Sequence, residues 1–262
     1  MMKDHIDFKS GYSQVNGLSM YYEVYGQGKP LVLIHGGGST IQTTYGNMIP
    51  LLAKEHQIIA MDLQAHGRTS DRPADLTFQQ DADDIAMLLN HLKIAKADFL
   101  GYSNGGQTLI EIAIRHPAII KKMIIASAFY KRSAATPQFW EGFDFATIDV
   151  MPAALKEEFL KVNLSETALL NMFKKDVRRM KGFKGWNDEQ MSTILAPTLI
   201  INGNNDVGSV EHAVEMYRVI PDAQLAILPG KHGAYIGAVE YLENGIWTQQ
   251  YIVDIINDFL ER

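Results

Sequence analysis

Ala97-Asp98-Phe99-Leu100-Gly101-Tyr102-Ser103-Asn104-Gly105-Gly106 is the stretch on which the fold assignment turns. A short apolar run ends in Gly-x-Ser-x-Gly, and a helix-compatible segment, Gln107–Arg115, follows at once. Glycines on both sides of the serine permit a turn too tight for neighbours with side chains. Ser103 then sits in a strained conformation at the head of a helix, where backbone N–H groups lack partners. The five-residue pattern alone arises by chance in roughly one chain in ten of this length. Its weight therefore rests on the strand–turn–helix context and on what the rest of the chain supplies.

Upstream, Leu31-Val32-Leu33-Ile34 is a continuous apolar run, the mark of a strand buried on both faces. It ends in His35-Gly36-Gly37-Gly38-Ser39-Thr40, at the strand end where α/β proteins place ligands. Glycines there let backbone approach a ligand and leave N–H groups free to donate. His35 is expected to fasten this loop rather than to react. Tyr12–Val15 and Leu18–Tyr25, broken at Asn16-Gly17, read as a hairpin with a type I′ turn. Gly26–Pro30 reads as a turn, since neither phosphate-loop nor dinucleotide spacing is met. Tyr45–Glu55 is expected to be one helix and Gln57–Met61 a strand. In the polar turn that follows, Asp62 and His66 are read as structural groups rather than catalytic ones. Thr77–Leu92 reads as a helix whose Asp81, Asp83 and Asp84 form a solvated, dipole-complementing face and not a metal site.

Downstream, Ile119–Ala126 is another buried strand, and the alternation of short strands and helices indicates a mainly parallel α/β sheet. From Phe129 to about Leu195 the pattern changes. No strand is evident, and Phe, Met and Trp are spread through helical pieces, Met151–Val162 and another capped by Ser165 among them. The segment reads as a helical cap over a cleft, with most of its aromatics forming its own core. Pro197 restarts the sheet with Thr198–Ile201, and Asp206 follows in Gly203-Asn204-Asn205-Asp206. Val210–Val219 is a helix, Ala223–Leu228 the last strand, and Gly230-Lys231-His232 follows it, with Lys231 expected to face solvent. The final helix is expected over Trp247–Leu260.

Composition narrows the function classes. The chain has 262 residues, 47% hydrophobic and 21% charged, enough for one α/β domain with an insertion. A formal net charge of −6 with no basic run argues against nucleic acid. The absence of cysteine removes thiol nucleophiles, disulfides and Cys-ligated zinc. Met1–Asp7 is polar, without the apolar core of a signal peptide, and no run approaches the roughly 20 apolar residues of a membrane helix. The expectation is a cytoplasmic, membrane-free protein, monomeric or homodimeric, with no cofactor and no metal.

A serine hydroxyl is a weak nucleophile without an adjacent base. Histidine can take and return its proton, and a carboxylate fixes the imidazole's tautomer. Ser103, Asp206 and His232 each lie just past the carboxyl end of an expected strand, and parallel strands bring such loops to one edge. The order Ser…Asp…His distinguishes this arrangement from the chymotrypsin and subtilisin orders.

With these motifs the chain resembles the α/β-hydrolase superfamily over nearly its whole length. The matching residues are His35-Gly36-Gly37-Gly38, Asp62-x-x-x-His66-Gly67-x-x-Ser70, Gly101–Gly106, Gly203–Asp206 and Gly230–His232. The resemblance implies Ser103 as nucleophile, His232 as base and Asp206 as its orienter. It implies an oxyanion hole from the N–H groups of Gly37 and Asn104. It also implies an eight-stranded, mostly parallel sheet flanked by helices, with the second strand antiparallel and a helical cap inserted after the sixth. The core would be 1–128 and 196–262, and the cap 129–195. A serine at the elbow speaks against the dehalogenase and epoxide-hydrolase branches, which use aspartate there.

This chain departs from the family pattern after His232, where a usual proline is missing and Gly233–Ile246 is longer than usual. Tyr235, Tyr241 and Trp247 are expected to shape the pocket mouth. Gly38, Tyr102, Phe129, Trp140, Phe143 and Trp186 are expected to line the substrate site. The expected activity is hydrolysis of a small, mainly apolar acyl substrate (ester, lactone or thioester) through an acyl-enzyme on Ser103. The alternatives are C–C bond hydrolysis or perhydrolysis with the same triad, or a non-catalytic small-ligand receptor on this scaffold.

Overall fold

The computed structural model describes residues 7–244 and 250–262. Eight strands form one sheet: β1 Phe8–Val15, β2 Leu18–Tyr25, β3 Lys29–Ile34, β4 His56–Met61, β5 Ala97–Tyr102, β6 Ile120–Ala126, β7 Thr198–Asn205 and β8 Ala223–Lys231. Their order is β1-β2-β4-β3-β5-β6-β7-β8. β2 is antiparallel to both its neighbours, and β4, β3, β5, β6, β7 and β8 run parallel. This is the sheet that the resemblance implied. The hairpin turn carries positive φ at Asn16 (45°) and Gly17 (81°), as a type I′ turn requires.

The α-helices among the described residues are α1 Ile41–Tyr45, α2 Ile49–Leu52, α3 Phe78–His91, α4 Asn104–Arg115, α5 Pro137–Gly142, α6 Ala153–Val162, α7 Glu166–Lys181, α8 Asp188–Ser192, α9 Val210–Val219 and α10 Gln250–Glu261. Successive residues of β3 serve opposite faces. Val32 and Ile34 join a core with α3 and α4, while Leu31 and Leu33 join one with α1, α2 and α10. Burial on both faces makes the strand read as an unbroken apolar run, and each such side chain contributes about 1.5–3 kcal/mol. Four of the helices, α5 to α8, lie between β6 and β7, with no strand among them. They carry a small core of their own around Met151, Leu155, Phe159, Leu169 and Met172. Among the described residues no helix is long and apolar enough to cross a membrane.

Several expectations shift. Tyr45–Glu55 is not one helix. The chain turns at Gly46-Asn47-Met48, and Pro50, which has no N–H to donate across that break, sits in the first turn of α2. The acids of α3 are not a solvated face. Asp81 and Asp84 are 1% and 0% exposed, and only Asp83 lies outside, paired with Arg115 and His116. Arg179 of α7 donates to Asp81 at 2.7 Å, and Arg72 pairs with Asp84. These cations come from 98 and 12 residues away, so the helix pattern alone could not reveal the cover. α6 begins at Ala153, with Pro152 as its N-cap, and Ser165 caps α7 by accepting the N–H of Ala168. The expected start of the last helix at Trp247, and residues 1–6, lie outside the described residues.

α4 must come close to β3 for the Ser103 turn to stand where it does. A Cβ on Gly105 would collide with the Ile34 carbonyl oxygen and lie 2.6 Å from that of His35. Gly105→Ala is therefore expected to cost at least about 2–3 kcal/mol, the upper part of the range for overpacking. Chemical denaturation of variant and wild type measures this; equal midpoints would refute the close approach.

Candidate active site

The strand ends bring the three expected residues together. Ser103 occupies the turn between β5 and α4 with φ 52° and ψ −123°, a conformation that residues with side chains rarely hold. Its N–H is anchored on the Ala126 carbonyl at 2.9 Å. The Ser103 Oγ–H donates to His232 Nε2 at 3.0 Å, and His232 Nδ1–H donates to Asp206 Oδ1 at 2.6 Å. These bonds span 129 and 26 residues of sequence.

Asp206 is fully enclosed and has every lone pair occupied. Oδ1 also accepts the Val207 N–H at 2.7 Å, and Oδ2 accepts the Gly203 N–H at 3.0 Å and the Ser127 hydroxyl at 2.5 Å. Burial works to raise its pKa. The bond and charge of His232, with Ser127 and Gly203, outweigh that and hold the carboxyl below the usual range. Ser127, at the end of β6 with φ 50°, lies 2.7 Å from the Tyr235 hydroxyl. Sequence reasoning did not single out Ser127. Its place at a parallel strand's carboxyl end, on the same edge as Ser103, is the signal that could have found it.

The glycine loop after β3 faces Ser103. A Cβ on Gly36 would lie 3.3 Å from Ser103 Cβ, and one on Gly37 would strike the Asn104 amide. Among the described residues neither the Gly37 nor the Asn104 N–H donates to a protein acceptor. Gly38 differs: at φ 66° it turns its N–H to Asp176 Oδ2, 2.6 Å away on α7. His35 anchors the loop, its Nδ1–H donating to Gly36 O at 2.7 Å and its Nε2 accepting the Leu63 N–H at 3.0 Å. Burial, then the neighbouring His66, lowers the His35 pKa to about 3, so it is neutral. Asp62 accepts N–H bonds from Ile41 and Arg68 and so closes its turn.

A cavity of about 330 Å³ opens over Ser103. Gly37, Gly38, Asn104, Phe129, Phe143 and Tyr241 line it, with Met151, Leu155, Phe173 and Met180 from the inserted helices. Among its described lining residues there is no lysine or arginine. Three expected lining residues stand elsewhere. Tyr102 is 1% exposed and packs beneath His232, ring centroids 5.0 Å apart, on the α10 side of the sheet. Trp140 is drawn off by its N–H bond to Arg132 O and stacks on Phe183, under the Arg132 guanidinium. Trp186 donates to Glu111 on α4 at 2.9 Å, which turns its indole from the cavity. Tyr235 is buried behind the site rather than at its mouth, Lys231 is exposed, and Trp247 lies outside the described residues.

Asp176 is the charged residue of the cavity wall that the sequence did not reveal. His66 Nε2 lies 2.9 Å from its Oδ2, and Arg179 donates to its Oδ1 at 2.5 Å. The Asp176–Arg179 spacing signals an intrahelical pair, but nothing in it signals a reach to Gly38, 138 residues earlier. Burial opposes charge on both Asp176 and His66. Their mutual attraction outweighs it, so the Asp176 pKa is held well below its ordinary range and that of His66 is raised.

Residues 29–160 match the family model described as alpha/beta hydrolase fold. The chain is 26% identical over 238 residues to the dihydrolipoyllysine-residue acetyltransferase component of the acetoin cleaving system of Pseudomonas putida, covering 83% of this chain and 62% of that one. It is 37% identical over 105 residues to a 2-hydroxymuconate semialdehyde hydrolase of Pseudomonas sp. strain CF600, covering 38% of this chain and 36% of that one. The chain thus spans less than two thirds of the length of either relative. Among solved structures, the 2-hydroxy-6-oxo-6-phenylhexa-2,4-dienoate hydrolase of Rhodococcus sp. strain RHA1 superposes with TM-score 0.81 at 15% identity, over 98% of this chain and 100% of that one.

The buried His66–Asp176 pair gives a prediction with a sign. His66→Gln removes one partner and leaves the other charge buried, at an expected cost of about 3–5 kcal/mol. Because the folded-state pKa of His66 is raised, this advantage of the wild type is full below pH about 6.5 and declines as pH rises through the elevated value. Denaturation of both proteins across pH 5.5–9, as a rough working range, measures it. A gap that widens with rising pH would contradict the assignment.

Proposed function

The chain belongs to the alpha/beta hydrolase fold family, and on that footing we propose that it is a serine hydrolase of uncharged, mainly apolar acyl substrates, carboxylic esters foremost. The observation that carries this reading is the Ser103–His232–Asp206 hydrogen-bond chain opening into a mainly apolar cavity with no lysine or arginine among its described lining residues. We take residues 129–195 as the cap that supplies most of that wall.

His232 Nε2 takes the Ser103 hydroxyl proton as Oγ attacks the substrate carbonyl carbon. Asp206 holds the imidazole in the Nδ1–H tautomer and stabilises the imidazolium that forms. The carbonyl oxygen becomes an oxyanion and takes the N–H bonds of Gly37 and Asn104, each worth about 3–4 kcal/mol in the transition state. Collapse breaks the bond to the alcohol, which leaves with the proton from His232. Water then repeats the sequence on the acyl-enzyme, His232 again taking and returning a proton, and the carboxylic acid departs.

Similarity to the 2-hydroxymuconate semialdehyde hydrolase favours a second reading, C–C bond hydrolysis by the same triad. Its substrate, by its name, is a carboxylate. In this chain no lysine or arginine stands among the described lining residues to meet such a group, and Arg179 is engaged with Asp81 and Asp176 rather than free to do so. This supports the ester reading.

Two outcomes test it. Fluorophosphonate should label the wild type, and Ser103→Ala should abolish labelling and lower p-nitrophenyl ester turnover at least about 10⁴-fold; equal labelling of both would refute the reading. Neutral p-nitrophenyl butyrate should be preferred over its ω-carboxylate counterpart by at least about tenfold in kcat/KM, the equivalent of about 1.4 kcal/mol. Faster turnover of the carboxylate, or of a muconate-type dienoate, would favour the second reading instead.

A further inference from the structure

We propose that Asp176 is a positioning residue for the oxyanion site: from helix α7 its carboxylate grips the Gly38 N–H and thereby fixes the adjoining Gly37 N–H over Ser103. The inference rests on the serine-hydrolase reading given above and adds to it a residue outside the triad and the glycine loop.

The loop needs an outside anchor. Gly36, Gly37 and Gly38 have no side chains to pack, and glycine loses more freedom on ordering than any other residue. His35 pins the loop at one end, and Thr40 caps α1 at the other. Between them the Ser39 hydroxyl reaches Gly37 O at only 3.3 Å. The Gly38–Asp176 bond, at 2.6 Å and to a charged acceptor, is the strong tie on this stretch among the described residues. It lies one peptide from the Gly37 N–H. A Cβ on Gly37 would touch Asp176 Oδ2 at 3.5 Å, so the carboxylate also backs the loop directly.

An unbalanced anion here would oppose a developing oxyanion, and the surroundings balance it. His66 Nδ1 faces Gln64 O at 2.8 Å and Nε2 faces the Asp176 carboxylate, two acceptors, so both nitrogens carry protons and the ring is an imidazolium. Arg179 bridges Asp176 and Asp81. Two carboxylates thus meet two cations in an enclosed cluster. Asp176 can hold the loop without placing net charge beside the reacting carbonyl.

The test compares Asp176→Ala, Asp176→Asn and, as a control on the same helix, Lys175→Ala. Lys175 ties α7 to Asp71 and to the carbonyls of Arg72 and Ala74, without touching the glycine loop. Active sites are counted by endpoint fluorophosphonate labelling, and kcat for p-nitrophenyl butyrate is expressed per labelled site. Asp176→Ala is expected to lose about 10²-fold in kcat with little change in KM, as a misplaced catalytic group does. Its affinity for a trifluoromethyl ketone, which forms an oxyanion on the serine, should weaken by a similar factor. Asp176→Asn keeps an oxygen for the Gly38 N–H and should recover most of the loss. Lys175→Ala should lower the melting temperature but leave kcat per site unchanged. The proposal is overturned if Asp176→Ala keeps wild-type kcat per site, if Asn is no better than Ala, or if Lys175→Ala loses as much. A wild type that does not label at all would overturn the hydrolase reading itself, and this proposal with it.

Discussion

A single strained turn organises the sheet edge. Ser103 holds a left-handed φ that costs a residue with a side chain about 1–3 kcal/mol, and it persists because its surroundings leave it no alternative. Its N–H is tied to β6, its carbonyl accepts from the first turn of α4, and Gly105 lets that helix press against β3. The hydroxyl is thereby aimed at a histidine that arrives from the far end of the sheet. Parallel strands are what make the meeting possible, since each ends at the same edge and each contributes a loop there.

Around that turn the polar groups form two separate systems. One runs from Ser103 through His232 to Asp206 and on to Ser127 and Tyr235. The other runs from Gly38 through Asp176 to His66, Arg179 and Asp81. Both are enclosed. Asp206 and Asp176 are each met by several donors and Asp81 is paired with Arg179, and such pairing is what makes buried charge tolerable. They face each other across the cavity without sharing a residue.

How much of this the sequence disclosed follows from what local pattern can carry. The strands, the elbow and the order of Ser103, Asp206 and His232 were legible because apolar runs and turn glycines are local signals. The Ser165 cap was legible for the same reason. Burial of Asp81 and Asp84 was not, because amphipathic spacing describes one helix and the covering Arg179 and Arg72 arrive from elsewhere. The same limit hid Asp176. The aromatics show the converse. Trp140 and Trp186 looked like pocket walls by composition, yet each indole N–H requires an acceptor, and Arg132 O and Glu111 set where the rings lie. Phe129 and Phe143, with no polar atom to satisfy, are free to face the cavity.

The fastening of α7 also divides the inserted helices into two mechanical parts. Asn171, Lys175 and Arg178 reach back to the segment between β4 and α3, Asp176 to the glycine loop and Arg179 to Asp81 of α3, so this helix moves only if several charged bonds break together. The stretch from α5 to the start of α6 is held mainly by ring contacts and by one half-exposed ion pair, Asp144–Lys181, and Phe145 and Val150 there are 85% and 67% exposed. Loosening is cheapest where fewest charged bonds must be given up. The α7 wall of the cavity is therefore fastened by charge, whereas the wall from α5 to the start of α6 rests mainly on ring contacts.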